Sequence, residues 1–183
     1  KPLIKDCMCI NGHFHFRPAL YKQVCALVRN YHNMDWDVKA PGDPPSFPVC
    51  VNQVNWKDNV YGPWVDAGFE VDICAQFGRF GRSNEQYQDL WKDNVTWAYT
   101  YGRDMARYFG PSGEQQLCTS IEIGNEPGKE FDDTLYREIF TEMAQGIRQG
   151  DPRVRIVTCT ARIGSADTYH KSLEETFASP AMQ

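Results

Sequence analysis

The sequence predicts an α/β fold in which parallel strands alternate with helices, and three observations carry that expectation. Short apolar runs alternate with stretches of helical periodicity five times along the 183 residues. Gly, Pro, Asn and Asp stand at the boundaries between them. The strand-like runs are apolar on both faces, as parallel βαβ units require.

A first strand is expected over residues 4–10, stopped by Asn11-Gly12. Pro18 suits a first helical position and opens a short helix through residue 26. Residues 26–32 read as the second strand. In the loop over 35–48, Pro41, Pro44, Pro45 and Pro48 forbid regular structure. Loops of that length are usually functional or disordered. A helix is expected over 58–67, ended by Gly68, with a third strand over 69–75. Leu90, Trp91, Asn94, Val95, Ala98, Tyr101, Met105, Tyr108 and Phe109 recur at three-to-four spacing and predict a helix closed by Gly110-Pro111. The fourth strand is expected over 117–124. Asp132 or Asp133 caps the next helix, whose stripe is Leu135, Ile139, Met143 and Ile147. Gly150 ends that helix, Asp151-Pro152 turns the chain into a fifth strand over 154–160, and a helical segment follows over 167–177.

Two architectures fit this order: an open doubly wound sheet, or part of a (β/α)8 TIM barrel. The doubly wound fold expects a Gly-rich phosphate turn after the first strand. Asn11-Gly12-His13-Phe14 offers one glycine followed by bulky residues, and Gly78-Arg79-Phe80-Gly81 is only a loop. A nucleotide-dependent enzyme is therefore disfavoured. The expected fold is the N-terminal five βα units of the barrel, with residues 1–183 as a single incomplete domain. A complete barrel takes about 250 residues and at least about 200. The stretch after Thr160 is too short for three more units. Strands six to eight are expected from missing sequence or from another chain.

Hydrophobic residues make up 42% and charged residues 23% of the chain, with a formal charge of −5. No dense Lys/Arg run marks a nucleic-acid or anionic-membrane partner. No apolar stretch approaches the roughly 20 residues of a membrane helix. Lys1-Pro2-Leu3 does not begin a signal peptide, and a chain lacking an initial Met is compatible with a cleaved one, so a secreted or extracellular location is favoured. Of the seven cysteines, Cys7, Cys9, Cys74, Cys118 and Cys159 sit in apolar runs and read as small buried hydrophobes. Cys7-x-Cys9 is not the spacing of a zinc site, so Cys7, Cys9, His13 and His15 are not expected to hold a metal, and no cofactor is implied. Asn94-Val95-Thr96 is a glycosylation sequon set in a helical pattern. Five Trp suit sugar stacking, although cores use the same residue.

In parallel α/β folds, ligand contacts gather at the C-terminal ends of strands. Those ends carry His13 and His15, then residues 32–36, then Gln76 and Phe77, then Asn125-Glu126-Pro127, then residues 160–162. Glu126 follows an apolar strand directly. In a partly dry cleft its pKa would rise, fitting it to donate a proton near neutral pH. From spacing alone, a surface or capping role fits Glu126 equally well.

The run Ile121-Glu122-Ile123-Gly124-Asn125-Glu126-Pro127 resembles the fourth-strand signature of the clan A retaining glycoside hydrolases. With Arg107-Tyr108-Phe109-Gly110 before it and Asp151-Pro152-Arg153-Val154-Arg155-Ile156 after it, residues 90–161 are similar to glycoside hydrolase family 39, the β-xylosidase/iduronidase family. Gly124 stands where that family typically has Trp, and in this it resembles the heparanase-like β-glucuronidase branch of the clan. Val28-Arg29-Asn30-Tyr31-His32-Asn33 resembles the clan's second strand. The resemblance implies a retaining β-glycosidase acting on a glycoside or polysaccharide. It makes Glu126 the acid/base and gives Asn125 a hydrogen bond to the sugar 2-hydroxyl. Arg29 would support the catalytic carboxylates, and His32 would line the sugar pocket. The nucleophile is then a Glu at the end of strand seven, outside this chain. In such enzymes the two carboxyl groups stand roughly 5–5.5 Å apart.

Other residues read more plainly. Glu122 shares strand parity with Glu126 and faces the barrel interior, where pairing with Arg29 would offset its charge. His13 and His15 either touch substrate or hydrogen-bond loop backbone. Trp36 either stacks on a sugar or packs its loop. Trp56, Trp64, Trp91 and Trp97 are expected in the core, and Glu174 and Glu175 on a solvated face. The rival function is a non-catalytic carbohydrate-binding or structural glycoprotein that keeps the barrel without its chemistry.

Overall fold

The computed structural model describes residues 3–13, 15–47, 54–126 and 131–159, with Ala178 beyond them. The expected helix over 167–177 and the strand end at 160–162 lie outside the described residues. So do Pro48, Cys50, Pro127, Glu174 and Glu175.

One sheet holds β1 (Cys9–Asn11), β2 (Leu27–Asn33), β3 (Glu70–Gln76), β4 (Ser120–Ile123) and β5 (Arg155–Thr158), in that order. Every neighbouring pair is parallel. A sequential order without reversal is that of a barrel wall, and it excludes the doubly wound alternative, which needs a switch point. Among the described residues, β1 and β5 each have one neighbour.

The first strand is shorter than expected. Asp6 accepts the Leu3 backbone N–H at 2.8 Å and closes a 3-10 turn over Ile4–Cys7. Ile4 is 83% exposed, so no core holds this segment extended. Cys7 and Cys9 are consequently exposed rather than buried, whereas Cys74, Cys118 and Cys159 are buried as expected. Pro18–Leu20 makes one 3-10 turn instead of a helix through residue 26. The helix expected over 58–67 starts earlier, as a wide π-type turn over Trp56–Tyr61, and continues as α1 (Gly62–Asp66).

Two helices, α2 (Asn84–Lys92) and α3 (Val95–Phe109), replace the one expected over 90–109. Asn94 separates them. Its side-chain amide donates to the Leu90 carbonyl at 2.8 Å, where a continuing helix would place a backbone N–H. The last described helix, α4 (Asp133–Gly150), is capped by Asp132, which accepts the Leu135 N–H at 2.9 Å.

The sheet has two unlike faces. Val28, Ile73, Ala75, Ile121 and Ile123 are buried on the helix side, together with the stripe Leu135, Ile139, Met143 and Ile147. Trp56, Trp64, Trp91 and Trp97 all lie in this core. Helices α3 and α4 approach closely because Gly146 has no side chain; a methyl there would lie 2.0 Å from the Tyr99 carbonyl oxygen. The opposite face is polar. Register aligns Arg29, Asp72 and Ser120 in one row and Tyr31, Cys74 and Glu122 in the next. Ser120 Oγ donates to Asp72 at 2.5 Å. Burial holds the Asp72 carboxyl above its usual range; the Glu122 charge adds to this, while the Ser120 hydrogen bond opposes it.

Two predictions follow from these contacts. Gly146→Ala improves helix propensity by about 1 kcal/mol yet forces the helices apart, so urea unfolding should show a net loss of about 1–3 kcal/mol. For Asp72, a folded-state pKa above the unfolded value means that the native state binds more protons. Stability therefore falls as pH rises from about 4 through the raised value. Asp72→Asn should gain melting temperature relative to the parent at pH 7 and gain none below about pH 4. Equal differences at the two pH values would show that the Asp72 charge is not responsible.

Candidate active site

The site begins with Arg29, which β2 points into the polar face. Its Nε is ion-paired with Glu122, a side chain only 4% exposed. Nη2 donates to Asn125 Oδ1 at 2.9 Å and to Cys74 Sγ at 3.0 Å, and Nη1 reaches Asn11 Oδ1 at 3.4 Å. The guanidinium lies 4.8 Å from the centre of the Tyr31 ring. Burial by itself would lower the Arg29 pKa. The hydrogen-bonded pairing with Glu122 outweighs it and holds the pKa above its normal range. The same surroundings push the Cys74 thiol up, by burial and by the Glu122 charge, so it stays protonated and donates to the Gly124 carbonyl at 3.4 Å.

Asn125 is fixed by this arrangement. Its carbonyl oxygen is taken by Arg29, which leaves its amide N–H groups as the donors for a ligand. Gly124, just before it, adopts φ +86°, and a Cβ there would meet the Phe77 ring at 2.9 Å and the Tyr136 ring at 3.4 Å. A tryptophan at this position would need both rings to move and the backbone to change. The glycine is a geometric requirement of this chain.

Glu126 comes next, also left-handed at φ +49°. The partly dry cleft expected around it is absent from the described residues: Glu126 is exposed at the C-terminal end of β4. Two left-handed residues in three break the strand direction as soon as β4 ends.

Beside it opens a cavity of about 350 Å³ lined by Asn33, Asp35, Trp36, Gln76, Phe77, Arg79 and Asn125. It sits at the C-terminal ends of β2, β3 and β4, where a barrel of this type carries its ligands. Asn33 and Gln76 are register partners on neighbouring strands. Asp35 is held by the backbone N–H groups of Arg79 at 3.3 Å and Phe80 at 3.4 Å. The Arg79 guanidinium lies 4.9 Å from the centre of the Tyr87 ring.

The sequence-predicted residues are thus sorted. Asn125 and Trp36 share the cavity wall, and Arg29 and Glu122 form the ion pair expected to offset the Glu122 charge. His13 and His15 are exposed beyond β1, with stacked rings 5.5 Å apart, and do not line the cavity. His32 does not line it either, which corrects its assignment to the sugar pocket. It is fully buried on the helix side, between Trp56 at 3.9 Å and the Tyr61 hydroxyl at 2.8 Å from Nδ1. Residues three apart on a strand face opposite ways, so Arg29 and His32 cannot both point inward. Among the described residues, no group of three or more His, Cys, Asp or Glu is arranged to hold a metal ion.

Comparison with known proteins bears on the fold. No protein-family model matches the chain, and no curated protein matches it either. Solved structures do. The chain superimposes on a glucosidase from Croceicoccus marinus with a TM-score of 0.59 at 13% identity, covering 87% of this chain and 36% of that one. It superimposes on a family 39 glycoside hydrolase from the gut symbiont Bacteroides cellulosilyticus with a TM-score of 0.55 at 11% identity, covering 82% of this chain and 30% of that one. The chain therefore spans about a third of the length of these structures. In fold it is a five-stranded portion of a (β/α)8 barrel, resembling that of the family 39 glycoside hydrolases.

Proposed function

We propose that this chain is the N-terminal part of a retaining β-glycosidase, with Glu126 as its acid/base. The observation that carries the proposal is Asn125. Arg29 locks its amide so that donors face a polar cavity at the C-terminal end of the strands, and Glu126 is the next residue along the chain. The nucleophile is a Glu outside this chain. Further sequence, or another chain, supplies the remaining strands of what is here an incomplete domain.

The reaction takes two displacements. First, Glu126 protonates the glycosidic oxygen while the nucleophile attacks the anomeric carbon; the aglycone leaves and a glycosyl ester forms. Glu126, now a carboxylate, takes a proton from water as that water cleaves the ester. Asn125 donates to the sugar 2-hydroxyl, Trp36 offers its indole face to the ring, and Arg29 with Glu122 keeps Asn125 in place. His13 and His15 meet the outer part of the substrate at the rim. Substrate and the rest of the barrel cover Glu126 and exclude water from the proton transfer. No cofactor takes part.

One observation favours the rival reading of a non-catalytic carbohydrate-binding protein: Glu126 is exposed, and the carboxylate lining the cavity is Asp35 instead. Hydrolysis by the full-length protein separates the two. Glu126→Gln should lose about 10²–10⁴-fold in activity on glycosides with poor leaving groups. It should lose far less in the first step with activated aryl glycosides, and azide should restore turnover. A folded variant that loses both substrate types equally, with no azide rescue, removes Glu126 from the acid/base role.

A further inference from the structure

Strand β4 passes to Asn125 and Glu126 through a turn that is held from several sides. The Ile123 carbonyl accepts the Tyr136 hydroxyl at 2.9 Å. The Gly124 N–H donates to the Ala75 carbonyl at 2.9 Å, and the Gly124 carbonyl takes the Cys74 thiol at 3.4 Å. Arg29 holds the Asn125 side chain. Three of these anchors, Ala75, Cys74 and Arg29, belong to the sheet. The fourth, Tyr136, reaches in from α4.

Tyr136 is itself fixed. Asp132 caps the start of α4, and the Tyr136 side chain is buried. Because the phenol proton goes to the Ile123 carbonyl, the Cys159 thiol, 3.2 Å away, donates to the phenol oxygen. The ring completes the grip. It stands edge-on to Phe77, with centres 6.2 Å apart, and the two rings close on the space a Gly124 side chain would fill.

The turn needs such a grip. Gly124 and Glu126 are both left-handed, at φ +86° and +49°. A residue with a Cβ disfavours that conformation and keeps it only where the surroundings over-determine it. Relaxed to an extended or right-handed backbone, Glu126 would carry its carboxyl to another side of the strand end. We infer that Tyr136 is a positioning residue for the acid/base: by holding Ile123 and Gly124 it aims the Glu126 carboxyl at the bond to be cleaved. This rests on Glu126 having the role given in the proposed function. Misplacing a reacting group by about 1 Å costs on the order of 10²-fold in rate, so half that shift costs roughly tenfold.

Hydrolysis of phenyl and dinitrophenyl β-xylosides and β-glucosides by the full-length protein tests this, read as kcat/KM, which reports the glycosylation step. A phenyl group needs protonation to leave, and a dinitrophenyl group needs little. Tyr136→Phe keeps the ring and loses only the hydroxyl. It should lower kcat/KM roughly tenfold for the phenyl glycoside and less than about twofold for the dinitrophenyl one. Trp64→Phe, a core change against Phe69 at the other end of β3, should lower the melting temperature and leave that ratio unchanged. Equal losses on both leaving groups in Tyr136→Phe, or a loss on neither, overturn the positioning role and leave Glu126 as the acid/base. A parent protein that hydrolyses none of these glycosides counts against the proposed function instead. Crystal structures of the full-length protein then decide the inference. Tyr136→Phe should displace the Glu126 carboxyl by more than about 0.5 Å, the tolerance of a productive site, and an unmoved carboxyl overturns the role.

Discussion

A single guanidinium holds the polar face of this sheet together. Arg29 on β2 bonds to Asn11 on β1, Cys74 on β3, Glu122 on β4 and Asn125 just beyond β4. Removing one member of such a buried pair leaves the other charge without compensation, at a cost of about 3–5 kcal/mol. That constraint ties four neighbouring strands together on one face of the sheet. It also decides which side of the Asn125 amide faces a ligand. Asn125 is thus tied to the barrel wall beneath it, as the proposed hydrogen bond to a sugar hydroxyl in one orientation requires.

The two faces of the sheet divide the work. Helix-side positions carry Val28, Ile73, Ile121 and Ile123 with no exposure, and most of the hydrophobic stabilisation arises there. The other face carries charge and hydrogen bonds, which contribute little net stability and much geometry. Burial makes Asp72 hold its proton more tightly, and the Glu122 charge on the same face adds to this against the opposing pull of Arg29 and Arg155. The cavity lies where the two regimes meet. Asn33, Gln76 and Asn125 come from the polar face, whereas Trp36 lies nearly parallel to the buried Trp56, which stacks on His32.

Much of this was legible in the chain. The apolar runs and their punctuation place β2, β3, β4 and α4 within a few residues, because the helix stripe Leu135–Ile147 and the strands it covers obey the periods of their own structures. The Arg29–Glu122 pair was legible from the cost of an unpaired interior charge at Glu122 together with the resemblance that turns Arg29 inward. The start of the chain misled for a local reason: Asp6 captures a backbone N–H and turns a β-rich run into a 3-10 turn. The break at Asn94 is equally local, a side-chain amide competing for a helical carbonyl. His32 is different. Its three-residue spacing from Arg29 puts it on the far face, because the two-residue period of a strand holds whatever family the strand resembles. Asp37 left no signal at all, since its hydrogen-bond partners His32, Trp56 and Tyr101 lie 5, 19 and 64 residues away and only the fold brings them together.

The central claim is that Glu126 is one of two carboxylates acting on opposite sides of a glycosidic bond. A crystal structure of the full-length protein tests it most directly through one distance, from the Glu126 carboxyl to the nearest other carboxyl across the barrel mouth. A retaining enzyme places that partner about 5–5.5 Å away, on a Glu at a strand end, and this is the expected result. A separation of roughly 6.5–9.5 Å would make the enzyme inverting, and an empty barrel mouth opposite Glu126 would contradict the catalytic account altogether.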